Sequence, residues 1–359
     1  MNDEYWMRKA LHLAEKGRGR TSPNPMVGAV LVKGGKRIGE GYHVQAGGDH
    51  AEVIALRKAE THARGATLYL NLEPCTHFGK TPPCVPQIIQ AGVQRVVMGM
   101  MDPNPLINGK GSKSLVQAGL EITMGVLEKE CKRLNEAFSK YIVKKEPFVI
   151  LKVAASLDGK LATRDGNSKW ISGEASRRYV HMLRDQVDGV MVGVGTILRD
   201  DPLLTARIRK GRDPYLIILD SRLSIPEQSK VIEVSPLKTI LITTERATKE
   251  RVKKLEEKGV KIFVVDSKAE RVNLKSSLSV LGEMGMMSLM VEGGSQVNGS
   301  FLDERLFDKL MLFLSPRLIG DNQAPGVFGG KGATDLKEAF SLSQIHVKRM
   351  RGDILIIGY

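Results

Sequence analysis

His50-Ala51-Glu52, followed by Pro74-Cys75 and then Cys84, supplies one imidazole, two thiols and one carboxylate. A catalytic zinc ion takes three protein ligands and keeps its fourth position for water, whose pKa it lowers from about 15.7 to about 7. His50, Cys75 and Cys84 are the expected ligands. Glu52 is the expected general acid/base, beside the metal and not bound to it, as in hydrolytic removal of an amine from a base ring. Any one of these residues alone would read as a core histidine or an incidental small hydrophobe. Their order, on the elements that the chemistry needs, sets the reading.

The elements that must hold these groups are legible around them. Asp49 is expected to cap a helix over 50–60 whose first turn carries His50 and Glu52, with Val53, Ile54 and Leu56 continuing it into the core. Residues 66–72 alternate in the manner of a strand, so Cys75 falls in the turn behind a strand end. Cys84 follows Pro82-Pro83 and opens a helical stretch over 85–90. Both thiols therefore sit where loops and helix N-termini favour thiolates. Paired cysteines in such sites are usually separated by two residues, whereas here eight lie between, a loop that reads as a specificity signature.

The run from Glu73 to Cys84, with Ser22-Pro-Asn-Pro-Met-Val-Gly28 before it and Asp102-Pro-Asn-Pro105 after it, closely resembles the bifunctional deaminase/reductase family of bacterial riboflavin biosynthesis. The likeness runs from Asp3 to the C-terminus. It takes in Lys152-Val-Ala-Ala-Ser-Leu-Asp-Gly159, Gly195-Thr196, Asp200-Asp201-Pro202 and Val291-Glu-Gly-Gly294, which make it specific to the two-domain enzyme. The resemblance implies an α/β protein with an N-terminal three-layer cytidine-deaminase-like domain over 1–146 and a C-terminal dihydrofolate-reductase-like domain over 147–359. It implies Zn²⁺ and NADPH as cofactors, and a homo-oligomer. The implied substrate is 2,5-diamino-6-ribosylamino-4(3H)-pyrimidinone 5′-phosphate, deaminated and then reduced at the ribosyl group to 5-amino-6-ribitylaminouracil 5′-phosphate.

Carried over motif by motif, the resemblance gives Asn24, His43, His77 and Lys80 to the pyrimidine and the ribose phosphate. In the second half it lines the NADPH site with Ala154, Trp170, Thr196, Asp200, Ser221 and a loop of Gly294, Ser295, Gln296, Val297, Asn298, Gly299 and Ser300. Ser168, Arg184, Leu204, Arg207 and Glu292 are its substrate contacts, and Lys152 and Asp200 are the candidates for polar support of hydride transfer. Arg184 and Arg207 suit phosphate because guanidinium presents a fork of donors. Lys80 lies in a Gly-Lys-Thr turn without the spacing of a Walker loop. Without the family, Gly193-Val-Gly195-Thr196 and Gly293-Gly294-Ser295 read either as phosphate-holding N–H groups at helix starts or as tight turns, since neither is a Gly-x-Gly-x-x-Gly fingerprint.

A chain of 359 residues is long for one domain and comfortable for two. Its charged and hydrophobic fractions, 26% and 42%, are those of a globular protein, and no apolar run approaches the roughly 18 residues of a membrane span. Met1-Asn-Asp-Glu is acidic and leads into an amphipathic pattern, unlike a signal peptide. Three cysteines, two of them expected ligands, leave only Cys131, so a disulfide framework is excluded and a reducing cytoplasm is expected. The net charge of +14 comes from scattered basic residues with few aromatics. It reads as a solvated surface that also attracts phosphorylated small molecules, with neither nucleic acid nor membrane as partner.

Strands are expected at 27–32, 66–72 and 95–100 in the first half, with a boundary near 138–147 and a basic connector over 140–147. Strands at 149–155, 190–194, 216–219, 240–242, 262–265, 289–291, 310–314 and 354–357 then suggest a largely parallel sheet. Three other readings compete. A nucleic-acid deaminase would need a basic, aromatic channel and leaves 148–359 without a purpose. A chain with one live activity would show a broken motif, and none is visible; a structural zinc module would use a fourth protein ligand.

Overall fold

Gly34 and Gly35, both at positive φ, close a tight hairpin between β1 (Gly28–Lys33) and β2 (Lys36–Tyr42), the geometry that two-residue hairpin loops require. The computed structural model describes residues 2–78 and 82–359, and the chain divides into two units, Met1–Lys145 and Glu146–Tyr359. Among the described residues no helix is long and apolar enough to cross a membrane.

In the first unit α1 (Asp3–Glu15) precedes the hairpin. The chain continues through α2 (Ala51–Ala59), β3 (Thr67–Leu70), α3 (Cys84–Gln90), β4 (Arg95–Met98), α4 (Lys110–Gln117), β5 (Glu121–Met124), α5 (Glu128–Leu134) and α6 (Glu136–Lys144). The sheet order is β2-β1-β3-β4-β5; β1 runs antiparallel to both neighbours, and β3, β4 and β5 are parallel. Strand alternation splits the layers. Tyr69 of β3 donates its hydroxyl to Asp3 of α1, whereas Leu68 and Leu70 pack with Ala51, Ala55 and Ile88 on the other face. Small residues let α2 approach closely: a Cβ on Gly41 would lie 2.5 Å from the Ala51 carbonyl oxygen.

Three expectations are corrected here. Asp49 does not cap α2; His50 holds the N-cap position with no side-chain cap bond, and Asp49 accepts from Arg57 at 2.6 Å instead. The imidazole faces the two thiols, so the cap position is given over to the site. The basic connector over 140–147 is mostly helix, since α6 runs to Lys144. Strands β2 and β5, absent from the expected set, are the two sheet edges, where partial exposure erases the apolar pattern.

The second unit runs β6 (Phe148–Ser156), α7 (Glu174–Gln186), β7 (Gly189–Gly193), α8 (Val194–Asp200), β8 (Tyr215–Leu219), α9 (Lys230–Val234), β9 (Thr239–Thr243), α10 (Lys249–Glu256) and β10 (Lys261–Val264). A two-residue ribbon follows, β11 (Ser267–Lys268) and β12 (Arg271–Val272), then α11 (Leu274–Glu283), β13 (Ser288–Val291), α12 (Ser295–Asp303), β14 (Lys309–Ser315), β15 (His346–Met350) and β16 (Asp353–Gly358). Nine strands form one sheet in the order β10-β9-β8-β7-β13-β6-β14-β16-β15, parallel as far as β14. Apolar side chains of β6 alternate between two cores, Val149, Leu151 and Val153 on one face and Ile150 and Ala154 on the other. Of the nine strands in this sheet only β15, an exposed edge strand of sequence His-Val-Lys-Arg-Met, was not foreseeable as an apolar run, and the short ribbon β11–β12 was not expected either. The expected loop over 294–300 is a helix start: Gly294 is the N-cap of α12 and Ser295 to Ser300 form its first turns.

Candidate active sites

The first unit brings His50, Cys75 and Cys84 together from a helix cap, a turn and a helix start. His50 Nδ1 lies 3.1 Å from Cys84 Sγ and 3.6 Å from Cys75 Sγ, and the three ligand atoms fall within 4.8 Å of one another. One nitrogen and two soft sulfurs at that spacing suit zinc. The cluster's own electrostatics agree. The neighbouring Cys84 thiol and the His50 ring hold the Cys75 thiol down at about 4, and the Cys75 sulfur in turn raises His50 above its ordinary value. Cys75 and burial together push Cys84 up, and a bound divalent cation would displace that thiol's proton.

Glu52 sits in the first turn of α2. It is 3% exposed, and its Oε2 is buried with no hydrogen-bond partner, an orphaned acceptor of the kind that marks a functional group. Burial raises its carboxyl above the ordinary carboxylate range, with the Cys75 charge adding to it and His50 opposing. His43 is buried, and that burial lowers its pKa below the ordinary imidazole value. Its Nδ1 faces the Asp49 carbonyl at 3.1 Å and must donate, which leaves Nε2 to accept from Asn24 Nδ2 at 3.0 Å.

One cavity of about 380 Å³ is lined by Asn24, His43, His50, Glu52, Cys75 and His77 of the expected set. Lys80 lies outside the described residues. The same cavity is lined by residues with no expected role: Glu73, Asp102, Asn104 and Ile107, and Phe138, Tyr141, Ile142 and Lys145 of α6 and its C-cap. Glu73 is a buried anchor that accepts from the Asp102, Gly109 and Ser112 amides and the Ser112 hydroxyl, tying the 102–112 segment to the turn that carries Cys75. Asp102 is buried as well, and burial pushes its carboxyl up to about 6, the Asn104 amide opposing and the Glu73 and Cys75 charges adding.

In the second unit the expected residues hang from the carboxyl ends of neighbouring strands, β8-β7-β13-β6, where open α/β sheets bind ligands. Lys152 and Ala154 lie on β6, Thr196 in α8 after β7, Ser221 behind β8, Glu292 behind β13, and Asp200 is the last residue of α8. A Cβ on Gly193 or Gly293 would meet Val297 at 2.9 or 2.7 Å, so both glycine turns close against α12. Glu292 is the hub. Lys152 Nζ donates to it at 3.1 Å, and Arg184 reaches it through Nε at 2.7 Å and Nη2 at 3.1 Å. Burial alone would raise this carboxyl, but Arg184 and Lys152 hold it at about 2. Arg184 gives its remaining Nη1 to the Thr205 carbonyl at 3.1 Å, so its fork meets protein acceptors. Leu204 and Arg207 flank that carbonyl, both at φ 53°, with Leu204 buried and Arg207 exposed. Trp170 is exposed under the Arg177 guanidinium, and Ser168 accepts from the Ile171 amide.

Two families match the chain, one in each half: the cytidine and deoxycytidylate deaminase zinc-binding region over residues 1–100, and the RibD C-terminal domain over residues 147–356. The riboflavin biosynthesis protein RibD of Aquifex aeolicus is 45% identical over 99% of this chain and 97% of its own length. The Escherichia coli protein of that name is 36% identical over 99% of both. The chain belongs to the RibD family. Solved structures agree: Acinetobacter baumannii RibD superposes with a TM-score of 0.89 at 36% identity, covering 99% of this chain and 98% of that one. A deaminase/reductase of Thermotoga maritima gives 0.86 at 38% identity with the same coverage.

The zinc-binding region ends at residue 100, yet the cavity does not. Asp102 and Asn104 belong to a motif that the sequence displays, Asp-Pro-Asn-Pro, without a role that residue types alone could assign, and Ile107 follows two residues beyond it. Phe138, Tyr141, Ile142 and Lys145 have the spacing of a single helix face, a signal present in the sequence but hidden inside a stretch that reads as a basic connector.

Proposed function

We propose that residues 1–146 carry the deaminase and residues 147–359 the reductase of one bifunctional enzyme of riboflavin biosynthesis. The substrate is 2,5-diamino-6-ribosylamino-4(3H)-pyrimidinone 5′-phosphate and the final product 5-amino-6-ribitylaminouracil 5′-phosphate. The observation that carries the reading is the Glu52 carboxyl, its Oε2 without a partner, opening onto the same cavity as His50 and Cys75, with Cys84 completing the ligand set. His50, Cys75 and Cys84 hold the zinc ion, which when bound supplies a Lewis acid and a water of near-neutral pKa.

Glu52 Oε2 takes up a proton from the attacking water as the water's oxygen bonds to the amino-bearing ring carbon, and returns one to the ammonia that leaves as the C–N bond breaks; its raised pKa suits a group that must hold a proton in mid-reaction. Asn24 and His43, locked to each other and to the Asp49 carbonyl, offer a rigid polar edge for the pyrimidine. His77, with Lys80, is assigned to the ribose phosphate.

In the second unit, NADPH is the hydride donor when bound, and C1′ of the ribosyl group is the acceptor. The residues Ala154, Trp170, Thr196, Asp200 and Ser221 and the start of α12 are assigned to that cofactor. Lys152, fixed by Glu292, is positioned to stabilise charge near C1′, and Arg184 orients Glu292 while holding the Thr205 carbonyl beside Leu204 and Arg207. The exposed Arg207 is the better phosphate contact of the two arginines, because its fork is not committed to a carboxylate. The same reading makes the protein a cytoplasmic homo-oligomer, a point that light scattering of the purified chain checks.

The test is an assay on zinc-loaded protein that follows ammonia release and NADPH oxidation separately. Release of ammonia followed by stoichiometric NADPH oxidation is expected. Ammonia without any NADPH oxidation overturns the reductase assignment, and no ammonia overturns the deaminase.

A further inference from the structure

Three neighbouring parallel strands of the second sheet, β13, β6 and β14, each lead into a segment beyond their carboxyl ends. The segment after β13 opens α12, the element assigned above to the cofactor. The segment after β14 returns across the other two, and its residues 324–330 bond to both. Behind β6, the Leu161 amide donates to the Pro325 carbonyl at 2.9 Å and the Val327 amide to the Gly159 carbonyl at 3.2 Å. On α12, Ser295 Oγ donates to the Gly326 carbonyl at 2.6 Å, and the Gly329 amide donates to the Ser295 carbonyl at 2.8 Å.

Glycine serves here for space and not for backbone freedom, since neither Gly299 nor Gly329 has a positive φ. A Cβ on Gly299 would lie 2.3 Å from the Gly330 nitrogen, and one on Gly329 would lie 2.6 Å from Ser295 Oγ. The 324–330 strap therefore lies directly on the first turns of α12. Asn298 completes the contact. Its Nδ2 donates to the Val327 carbonyl at 3.1 Å, while its Oδ1 is buried without a partner. Turning the amide over would set that oxygen against the carbonyl. A Cβ on Gly293 would lie 2.9 Å from Asn298 Oδ1, so the side chain spans from the strap to the glycine turn that opens the helix. At 0% exposure, Asn298 offers no surface to a ligand.

We propose that Asn298 is a positioning residue of the cofactor site, acting through the strap and not by contact, and that residues 324–330 hold α12 and the loop behind β6 at the separation that NADPH needs. The proposal rests on the cofactor reading given above. With the strap bonded to both elements, α12 cannot tilt away from the loop without breaking these hydrogen bonds. The cofactor then meets turns that are already ordered, which lowers the entropy lost on binding.

The experiment is a fluorescence titration of NADPH onto the full chain, with wild type beside Asn298→Asp and Gly329→Ala and with NADPH oxidation measured on the same preparations. Asn298→Asp keeps the side chain's shape and replaces the donor with an acceptor facing the Val327 carbonyl. Gly329→Ala sets a methyl against Ser295 from a residue with no assigned cofactor contact. Each is expected to raise the Kd for NADPH roughly three- to tenfold, the effect of losing one neutral hydrogen bond or a little more. In Gly329→Ala, KM for NADPH rises alongside while kcat at saturating NADPH stays at the wild-type value. The double variant is expected to lose little beyond the larger single effect, because both changes act through one strap. An unchanged Kd in either variant overturns the proposal; if Gly329→Ala alone is silent, Asn298 is a direct cofactor contact. A fall in kcat of Gly329→Ala without a change in Kd overturns it too, and marks the strap as merely structural. If Asn298→Asp does not fold, Gly329→Ala decides between these outcomes. A wild type that binds no NADPH overturns the cofactor reading, and this proposal with it.

Discussion

The two sites are assembled in opposite ways. In the first unit the ligand set and its acid/base group lie between His50 and Cys84, on one helix start, one turn and the next helix start. In the second, Lys152 and Glu292 meet across 140 positions of sequence because β6 and β13 are neighbours in the sheet. A metal centre needs donors of definite type at short range, so its demands are written locally. A site built on parallel strand ends depends on strand order, which no local spacing encodes. The two also manage charge differently: the first leaves Glu52 Oε2 unpartnered, while the second surrounds a buried Glu292 with two cations.

The largest expected break in the comparison is Cys75→Ser. Metal analysis should show that the first unit loses its zinc and ammonia release should fall to background, while NADPH oxidation with the deaminated intermediate persists. Full activity in a metal-free variant would contradict the local-cluster account. Next is Glu292→Ala, which leaves Lys152 and Arg184 buried without their carboxylate and should cost the second unit about 3–5 kcal/mol in denaturant unfolding, with ammonia release unaffected.

The same hub gives a pH signature. Glu292 is held at about 2, below the 4.5 of a free glutamate, so its contribution is fully present above pH 4.5 and is lost as pH falls toward 2. Acid unfolding followed in that window should therefore shift in Glu292→Gln relative to wild type. The smallest expected effect is at Asp49, whose exposed pair with Arg57 is a surface contact and not a helix cap: Asp49→Ala should change stability by less than about 1 kcal/mol. A loss nearer 2 kcal/mol would restore the capping role.

Much of this arrangement is legible in the sequence, and the gaps have physical causes. Seven of the eight apolar runs of the second unit are largely buried strands, and the edge strand β10 keeps an apolar run although it is partly exposed, so composition marks all eight. The edges β2, β5 and β15 carry glycine or charge, which hides them. His50, Cys75, Cys84 and Glu52 declare themselves by residue type and order, and the structure places them within reach of each other. The NADPH and substrate residues were legible only through family resemblance, because a glycine turn, a leucine or a lone arginine has no chemistry specific to a cofactor. Neither route showed the wall of α6, whose basic flank looks like a linker until the helix face is folded against the cavity.

The central claim is that two independent sites share the chain, and Glu52→Gln tests it most directly. Ammonia release by this variant should drop by roughly 10²- to 10⁴-fold. NADPH oxidation with the deaminated intermediate, measured on the same preparation, should stay at the wild-type rate. Loss of both together would contradict the account, because a buried carboxyl of the first unit would then be serving the chemistry assigned to the second.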